Sequence, residues 1–230
     1  FLGSHYCDDR FFNDLVGDFS KSFRYYFQSL IRPSKKYVLD AVSKLEELDI
    51  EIIAPGHGPV LRKDARKYIE MYREWSRVER VFEKLLLIFY VSIYGNTARM
   101  AAEIAGGIRE EGVAARIFDV TETKPEDVLD EIEKADGVVV GSPTINHDAV
   151  KPIWDLLSSL ATINVSGKVG ASFGSYAWSG QAPKLIEERL RGLRFKITEP
   201  FVRAQFVLTE SDIKACREFG SRLAKSLLQE

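Results

Sequence analysis

Apolar residues in the last two thirds of the chain alternate between short continuous runs and helical spacing. The runs are as short as buried parallel strands, and amphipathic stretches lie between them. This alternation is typical of a doubly wound α/β domain. The predicted strands are residues 84–91, 114–119, 137–141, 169–173 and a stretch within residues 195–207.

The intervening stretches carry apolar residues at steps of three and four. Met100, Ile104 and Ile108 fall on one face of the first predicted helix. Later helices are predicted over residues 125–134, 150–160, 182–190 and 211–228. In such a fold, ligands bind beyond the carboxyl ends of the parallel strands.

Residues 1–80 follow a different pattern, with dense aromatic residues and little predicted strand. We predict a helix over residues 11–31, a second helix after Pro33, a short strand over residues 51–54 and a third helix over residues 64–77. No Gly/Ser-rich linker lies near residues 78–84. The sequence therefore predicts two closely connected domains, residues 1–80 and residues 81–230.

Composition and charge narrow the class of protein. Hydrophobic residues make up 45% of the chain, charged residues 29%, and the formal net charge is -2. Mixed charges predict no nucleic-acid partner, and no apolar run approaches the ~18 residues that span a membrane. Cys7 and Cys216 are far apart, which favours a reducing compartment. We expect a cytoplasmic protein with no membrane partner.

The loop after the first predicted strand runs directly into a helix. Backbone N–H groups and the helix dipole favour an anion at such a position. The loop has neither a P-loop lysine nor a G-x-G-x-x-G pattern, so it predicts a terminal monophosphate. The alternative is an ordinary helix start capped by Asn96 or Thr97. Its residues are Ser92, Ile93, Tyr94, Gly95, Asn96 and Thr97.

Two further loops follow the third and fourth predicted strands, at the same edge of the sheet. Each alone fits common turn chemistry or a surface patch. Three such loops in register predict a site for a phosphate and a ring system, against which Tyr176 and Trp178 offer flat surfaces. The candidate binding residues are Ser142, Pro143, Thr144, Ile145, Asn146 and His147, then Ser175, Tyr176, Ala177, Trp178 and Gly180.

These three loops resemble the FMN loops of flavodoxins, most closely those of flavodiiron proteins (A-type flavoproteins, oxygen and nitric oxide reductases). The resemblance implies a flavodoxin-like five-stranded sheet and FMN as cofactor. Residues 92–97 would hold the phosphate, and residues 144–147 and 176–180 would frame the isoalloxazine. Ala177 stands where the family often has Gly, and His147 where a second Asn is frequent.

Acidic residues are scarce in these loops. Only Asp148 lies at one margin. We therefore expect a ring site that is less anionic than that of an acidic flavodoxin, in which the reduced flavin anion forms more readily. Because FMN would carry the redox chemistry, no residue of this chain is assigned as catalytic.

Residues 1–80 resemble the last portion of the metallo-β-lactamase-like domain that carries two irons in this family. The turn of residues 55–59 is similar to the one that bears the final His ligand, here His57. The other ligands have no counterpart, so His57 would bind iron only if a missing segment or a partner chain supplies them. In this chain alone a turn histidine is favoured, and His5 is expected to be structural. The chain begins with Phe1, compatible with a piece of a longer protein.

Half of such a domain would expose the aromatic residues between Phe11 and Phe27. We therefore expect that a homo-oligomer or a complementing chain covers these residues, or that residues 1–80 are poorly ordered.

The resemblance implies reduction of oxygen or nitric oxide at a diiron centre, with electrons from a rubredoxin-like or reductase donor. Alternatives are a stand-alone electron carrier and an NAD(P)H-dependent flavin or quinone reductase. A metallo-hydrolase is disfavoured, because its His/Asp cluster is absent from the sequence.

Overall fold

The computed structural model describes residues 1–229. The chain divides into two compact units, Phe1–Val78 and a second unit that begins at Glu79. Within residues 1–229, no helix is both long enough and apolar enough to cross a membrane.

The first unit is mainly helical. Its α-helices are α1 (Ser20–Tyr26), α2 (Lys35–Glu46) and α3 (Ala65–Ser76), with a π-helical turn (Phe27–Ile31) and a 3-10 turn (Arg32–Ser34) joining the first two. The helix predicted from residue 11 starts later, because the carboxylate of Asp18 accepts hydrogen bonds from the backbone N–H and the hydroxyl of Ser20. The strand predicted over residues 51–54 reduces to one bridge between Ile53 and Leu61.

The first unit has an apolar core of its own. Phe19, Phe23, Tyr26 and Phe27 are buried, whereas Tyr25 is 61% exposed. For the four buried rings, the predicted exposure is wrong. Residues of α2 and α3 and the segment around Leu61 pack around the three phenylalanines, and Tyr26 packs against His5 and His57. The core cluster comprises Leu2, Phe19, Phe23, Phe27, Val38, Val42, Leu61, Ile69 and Tyr72.

The second unit is built on a parallel sheet. Its strand order is β2-β1-β3-β6, and β7 and β8 both pair with the far side of β6. The predicted doubly wound α/β fold with flavodoxin-like order is confirmed. The strands are β1 (Leu85–Tyr90), β2 (Ala114–Asp119), β3 (Gly137–Gly141), β4 (Thr144–Ile145), β5 (Asp148–Ala149), β6 (Val169–Tyr176), β7 (Lys196–Ile197) and β8 (Val202–Gln205).

Helices cover both faces of this sheet. Side chains along β1 alternate between two buried clusters, since Leu87 and Phe89 belong to one and Leu86 and Ile88 to the other. Residues of α5, α6 and α7 complete the first cluster, and residues of α4 and α8 the second. The helices are α4 (Asn96–Glu110), α5 (Pro125–Lys134), α6 (Lys151–Ser159), α7 (Ala182–Gly192) and α8 (Glu210–Leu228).

Helices α4 and α8 approach closely through two glycines. A Cβ atom on Gly107 would overlap the carbonyl oxygen of Arg217, and one on Gly220 would overlap that of Ile104. Any larger residue would separate the helices. Helix α4 follows β1, so its N-terminus lies at the carboxyl edge of the sheet. The close packing on α8 fixes the position of α4 and therefore of that N-terminus.

Candidate functional site

A cavity of about 500 Å³ lies at the carboxyl edge of the sheet, where the loops after β1, β3 and β6 meet. This volume is in the range of small-molecule sites. The structure therefore brings residues from all three predicted loops together. The lining comprises Ile93, Tyr94, Asn96, Pro143, Thr144, Ile145, Asn146, His147, Ser175, Tyr176, Ala177, Trp178, Ser179 and Phe206.

Some of the predicted binding residues lie outside this lining. They are Ser92, Gly95, Thr97, Ser142 and Gly180. Ser92, Gly95 and Thr97 surround the start of α4 instead, next to the cavity residues Tyr94 and Asn96. Ser142 is fully buried, and its hydroxyl donates to the carbonyl of Pro143 and accepts from the N–H of Val150. Its role in the structure is to fix the turn after β3.

The start of α4 has the features of an anion cradle. Gly95 precedes the helix with φ of +83°, and no side chain within residues 1–229 caps it. The alternative of a cap by Asn96 or Thr97 is therefore wrong. The Ser92 Oγ atom is buried without a hydrogen-bond partner among the described residues. The first N–H groups of the helix and this hydroxyl are thus available to an anion.

A buried hydrogen bond connects the cradle to the central strand. Thr97 Oγ1 and Ser175 Oγ lie 2.8 Å apart, and the two residues are 1% and 9% exposed. Strand β6 continues to Tyr176, three residues beyond the predicted end at Phe173, because β8 pairs with its last four residues. Ser175 and Tyr176 therefore belong to the strand rather than to a loop.

The segment after β3 forms a hairpin that the sequence did not predict. Strands β4 and β5 pair antiparallel across the two-residue turn Asn146-His147, whose φ angles are +50° and +66°. Two positive φ angles are the signature of a type I′ turn. The turn directs His147 toward the next loop, where its Nδ1 atom lies 3.1 Å from Ser179 Oγ and 3.4 Å from Gln181 Nε2.

Aromatic rings stand exposed around the cavity. Tyr94 is 88% exposed and Trp178 is 93% exposed, although both contribute to the lining. Each ring therefore offers a flat apolar face to a ligand. Among residues 1–229, the lining includes no Asp, Glu, Lys or Arg. Asp148 accepts hydrogen bonds from Trp154 Nε1 and the N–H of Ala149.

Ser179 and Phe206 also line the cavity, although neither was named individually as a binding residue. Ser179 falls within residues 176–180, which the resemblance placed around the ring, whereas Phe206 was not predicted. Because Ser179 lies within a predicted binding loop, its position in the sequence was enough to indicate a place in the site. Phe206 follows β8 at the same edge of the sheet and has φ of +55°. Strand β8 is short and was located only within residues 195–207, so the residue pattern indicates Phe206 only weakly.

His57 lies on a turn of the first unit. Its carbonyl oxygen accepts a hydrogen bond from the N–H of Ser4 at 3.1 Å, and its ring lies 6.0 Å from the ring of Tyr26. His5 packs edge-on against the same tyrosine at 5.0 Å. In the part of the chain that the structure describes, no three His, Cys, Asp or Glu side chains are grouped to hold a metal ion. An iron-binding role of His57 stays a prediction.

Sequence comparisons place this architecture among known proteins. The flavodoxin family profile matches residues 88–220. The type A flavoprotein fprA of Rhodobacter capsulatus is 48% identical over 98% of this chain and 53% of its own length. The flavo-diiron protein FprA2 of Clostridium acetobutylicum is 36% identical over 99% of this chain and 58% of its own. The chain thus spans little more than half the length of these relatives.

A solved structure agrees with these relatives. Rubredoxin oxygen:oxidoreductase from Desulfovibrio gigas superposes with a TM-score of 0.72 and 25% identity, over 99% of this chain and 58% of that one. Together with the flavodoxin profile, this similarity implies a flavin as the cofactor. The chain therefore belongs to the flavodoxin family and, over nearly its whole length, to the type A flavoproteins, also called flavodiiron proteins.

Proposed function

We propose that residues 81–230 form an FMN-binding domain that transfers electrons. The observation that carries this proposal is a combination of three features within residues 1–229: an uncapped helix start at Gly95, a buried Ser92 hydroxyl without a partner, and an uncharged cavity flanked by exposed rings. An anion and a flat apolar ring joined in one small molecule satisfy all three features. FMN has that form.

The cradle would bind the phosphate end. The Ser92 hydroxyl and the N–H groups at the start of α4 can donate hydrogen bonds, and the helix dipole adds a favourable field. Thr97 has its hydroxyl beside Ser175, so it can donate to one neighbour while accepting from another. Neither residues 92–97 nor the cavity lining within residues 1–229 includes a Lys or Arg, so this part of the site would recognise a phosphate through hydrogen bonds rather than through side-chain charge.

The hairpin and the loop after β6 would bind the ring end. Tyr94 and Trp178 supply flat faces, and residues 144–147, which line the cavity, would supply polar groups to the ring edge. Exclusion of water by Ile93, Pro143 and Phe206 would strengthen these polar contacts. When bound, FMN supplies the redox chemistry, and the protein sets its orientation and electrostatic environment.

We further propose that residues 1–80, which include the first unit, are part of a metallo-β-lactamase-like domain. In the complete protein, His57 would contribute one iron ligand, and residues outside this chain would contribute the others. The whole protein would then reduce oxygen or nitric oxide, receiving electrons from a rubredoxin-like or reductase partner. The similarity to a flavo-diiron protein and to a rubredoxin oxygen:oxidoreductase supports this assignment. A missing segment or a complementing chain would complete the diiron site.

The test is to purify the full chain, record its absorption spectrum, release the bound flavin and identify it by chromatography. Iron is measured on the same sample. The proposal predicts one FMN per chain, or stoichiometric uptake when FMN is added to colourless protein. A chain that takes up no flavin, or that takes up only FAD, would contradict it. Two irons per chain would show that the remaining metal ligands are supplied.

A further inference from the structure

Residues 177–180 connect β6 to α7 and carry the most exposed large ring of the cavity. Trp178 is 93% exposed, so its side chain has little packing of its own to hold it in place. A ring that must meet a ligand face to face needs a fixed backbone instead. The structure shows which side chains supply that constraint.

Strand β8 reaches both ends of this loop. Gln205 Nε2 donates to the carbonyl of Ala177 at 2.9 Å, and Arg203 Nη1 donates to the carbonyl of Gly180 at 3.4 Å. Side chains two residues apart on a strand point to the same face, while Ala204 between them is buried in the core on the other face. One face of β8 therefore holds the backbone of the loop on both the N-terminal and the C-terminal side of Trp178.

The Arg203 side chain makes further contacts. Its guanidinium carbon lies 5.6 Å from the centre of the Tyr176 ring, a cation–π distance. A Cβ atom on Gly180 would lie 3.2 Å from Arg203 Cδ and 3.0 Å from Tyr176 Cδ1. The loop therefore closes tightly over the arginine stem, and Arg203 holds it by packing as well as by hydrogen bonding.

We propose that Gln205 and Arg203 are positioning residues that order residues 177–180, and the Trp178 ring with them, before any flavin binds. The identity of the ligand rests on the function proposed above. Neither residue lines the cavity, so both act through the loop. A loop that is ordered in advance loses less conformational entropy when the ligand arrives, and this raises affinity.

The test compares three variants of the full chain. Gln205→Met removes the donor while keeping length and charge, and Arg203→Met removes the guanidinium. Arg222→Met is the matched control, because Arg222 is an exposed arginine whose 2.8 Å ion pair with Glu199 lies outside the loop. NMR order parameters of the amides of residues 178–180 are measured on flavin-free protein. Dissociation constants are then measured for FMN and for riboflavin, which has no phosphate.

The wild-type loop is expected to have order parameters near ~0.85, and the two β8 variants values below ~0.6. Loss of one hydrogen bond of ordinary strength should weaken flavin binding about 2- to 12-fold. FMN and riboflavin should lose affinity by the same factor in Gln205→Met, because the loop frames the ring rather than the phosphate. Arg222→Met should match the wild type in both measurements.

Unchanged order parameters in both β8 variants would overturn the proposal. Lower order parameters in the β8 variants with unchanged flavin affinity would also overturn it. The same would follow if Arg222→Met changed the order parameters or the flavin affinity as much as the β8 variants do. A wild-type chain that binds neither flavin would contradict the proposed function instead. The two failures are distinguishable, since the order parameters are measured without flavin.

Discussion

Thr97 Oγ1 and Ser175 Oγ lie 2.8 Å apart in the interior of the second unit, although 78 positions separate them in the sequence. Thr97 stands in the first turn of α4, and Ser175 stands near the end of β6. The bond joins the cradle to the strand that leads into the Trp178 loop. The start of α4, which we propose binds the phosphate, is therefore connected through one pair of hydroxyls to the strand before the loop that we propose frames the ring.

Replacing Ser175 with Ala should destabilise the protein, because it leaves the buried Thr97 hydroxyl without this partner. We expect a loss of ~1–3 kcal/mol in the free energy of unfolding, measured by urea denaturation. The double variant Thr97→Val/Ser175→Ala should lose less than the sum of the two single variants. Ser166→Ala, at an exposed position, is the control and should change stability by less than ~0.5 kcal/mol. Additive losses would show that the two hydroxyls are not coupled.

Replacing Trp178 with Ala should weaken flavin binding without changing the fold, because the ring is 93% exposed. Loss of one aromatic stacking contact of ~0.5–1.5 kcal/mol corresponds to a rise of about 2- to 13-fold in the dissociation constant. Trp178→Phe keeps a flat ring and should retain most of the affinity. The measurement is a fluorescence titration with FMN. Equal affinity of the wild type and Trp178→Ala would remove Trp178 from the site.

Replacing Gly220 with Ala should separate α4 from α8. The added methyl would overlap the carbonyl oxygen of Ile104, and overpacking of this kind costs ~1–3 kcal/mol. Gly192→Ala is the matched control, since Gly192 ends α7 and a Cβ atom there would meet no atom of the described residues within 4 Å. Thermal unfolding should show a lower Tm for Gly220→Ala only. Similar Tm values for both variants would contradict the close helix packing.

Replacing Ser221 with Ala should change the pH dependence of stability. The Ser221 hydroxyl donates to Glu111 at 2.7 Å, and this bond, followed by the contact with Lys225, lowers the pKa of that carboxyl. A lowered pKa in the folded state stabilises the protein above the unfolded pKa, and the benefit is lost as the pH falls through the folded pKa. The wild type should therefore exceed Ser221→Ala in stability at pH 7.

This advantage should shrink toward acid pH, as measured by thermal unfolding at pH 7 and pH 3. Ser158→Ala, an exposed helical serine, controls for the higher helix propensity of alanine. If the Tm difference between Ser221→Ala and Ser158→Ala is the same at pH 7 and pH 3, the effect of Ser221 is due to packing rather than to its hydrogen bond with Glu111.

The buried strands were predictable from the sequence, whereas the short ones were not. Strands β2 and β3 have the predicted bounds, because each is bounded by turn residues. Strands β4 and β5 are two residues long, too short to show alternation. The Asn146-His147 pair indicated a tight turn, since both residue types are enriched at positive φ. Residue order alone did not show that it joins two strands.

The parts of the site that involve β8 depended on tertiary structure. Polar residues Arg203 and Gln205 interrupt the apolar pattern, so the sequence placed a strand only broadly within residues 195–207, and the contacts of both side chains with residues 177–180 did not follow from it. The buried aromatics of the first unit have a similar explanation. Their partner Tyr72 lies about fifty positions away, and Phe23 and Phe27 pack against it at 5.2 and 5.0 Å. Such pairings do not follow from local spacing.

The most direct test of the FMN assignment is a calorimetric titration of the flavin-free chain with FMN and, separately, with riboflavin. The cradle at Ser92 and Gly95 predicts one site per chain and tighter binding of FMN. It also predicts that Ser92→Ala weakens FMN binding by about 2- to 12-fold while leaving riboflavin binding unchanged. Equal affinities for FMN and riboflavin, or no binding of either, would contradict the account.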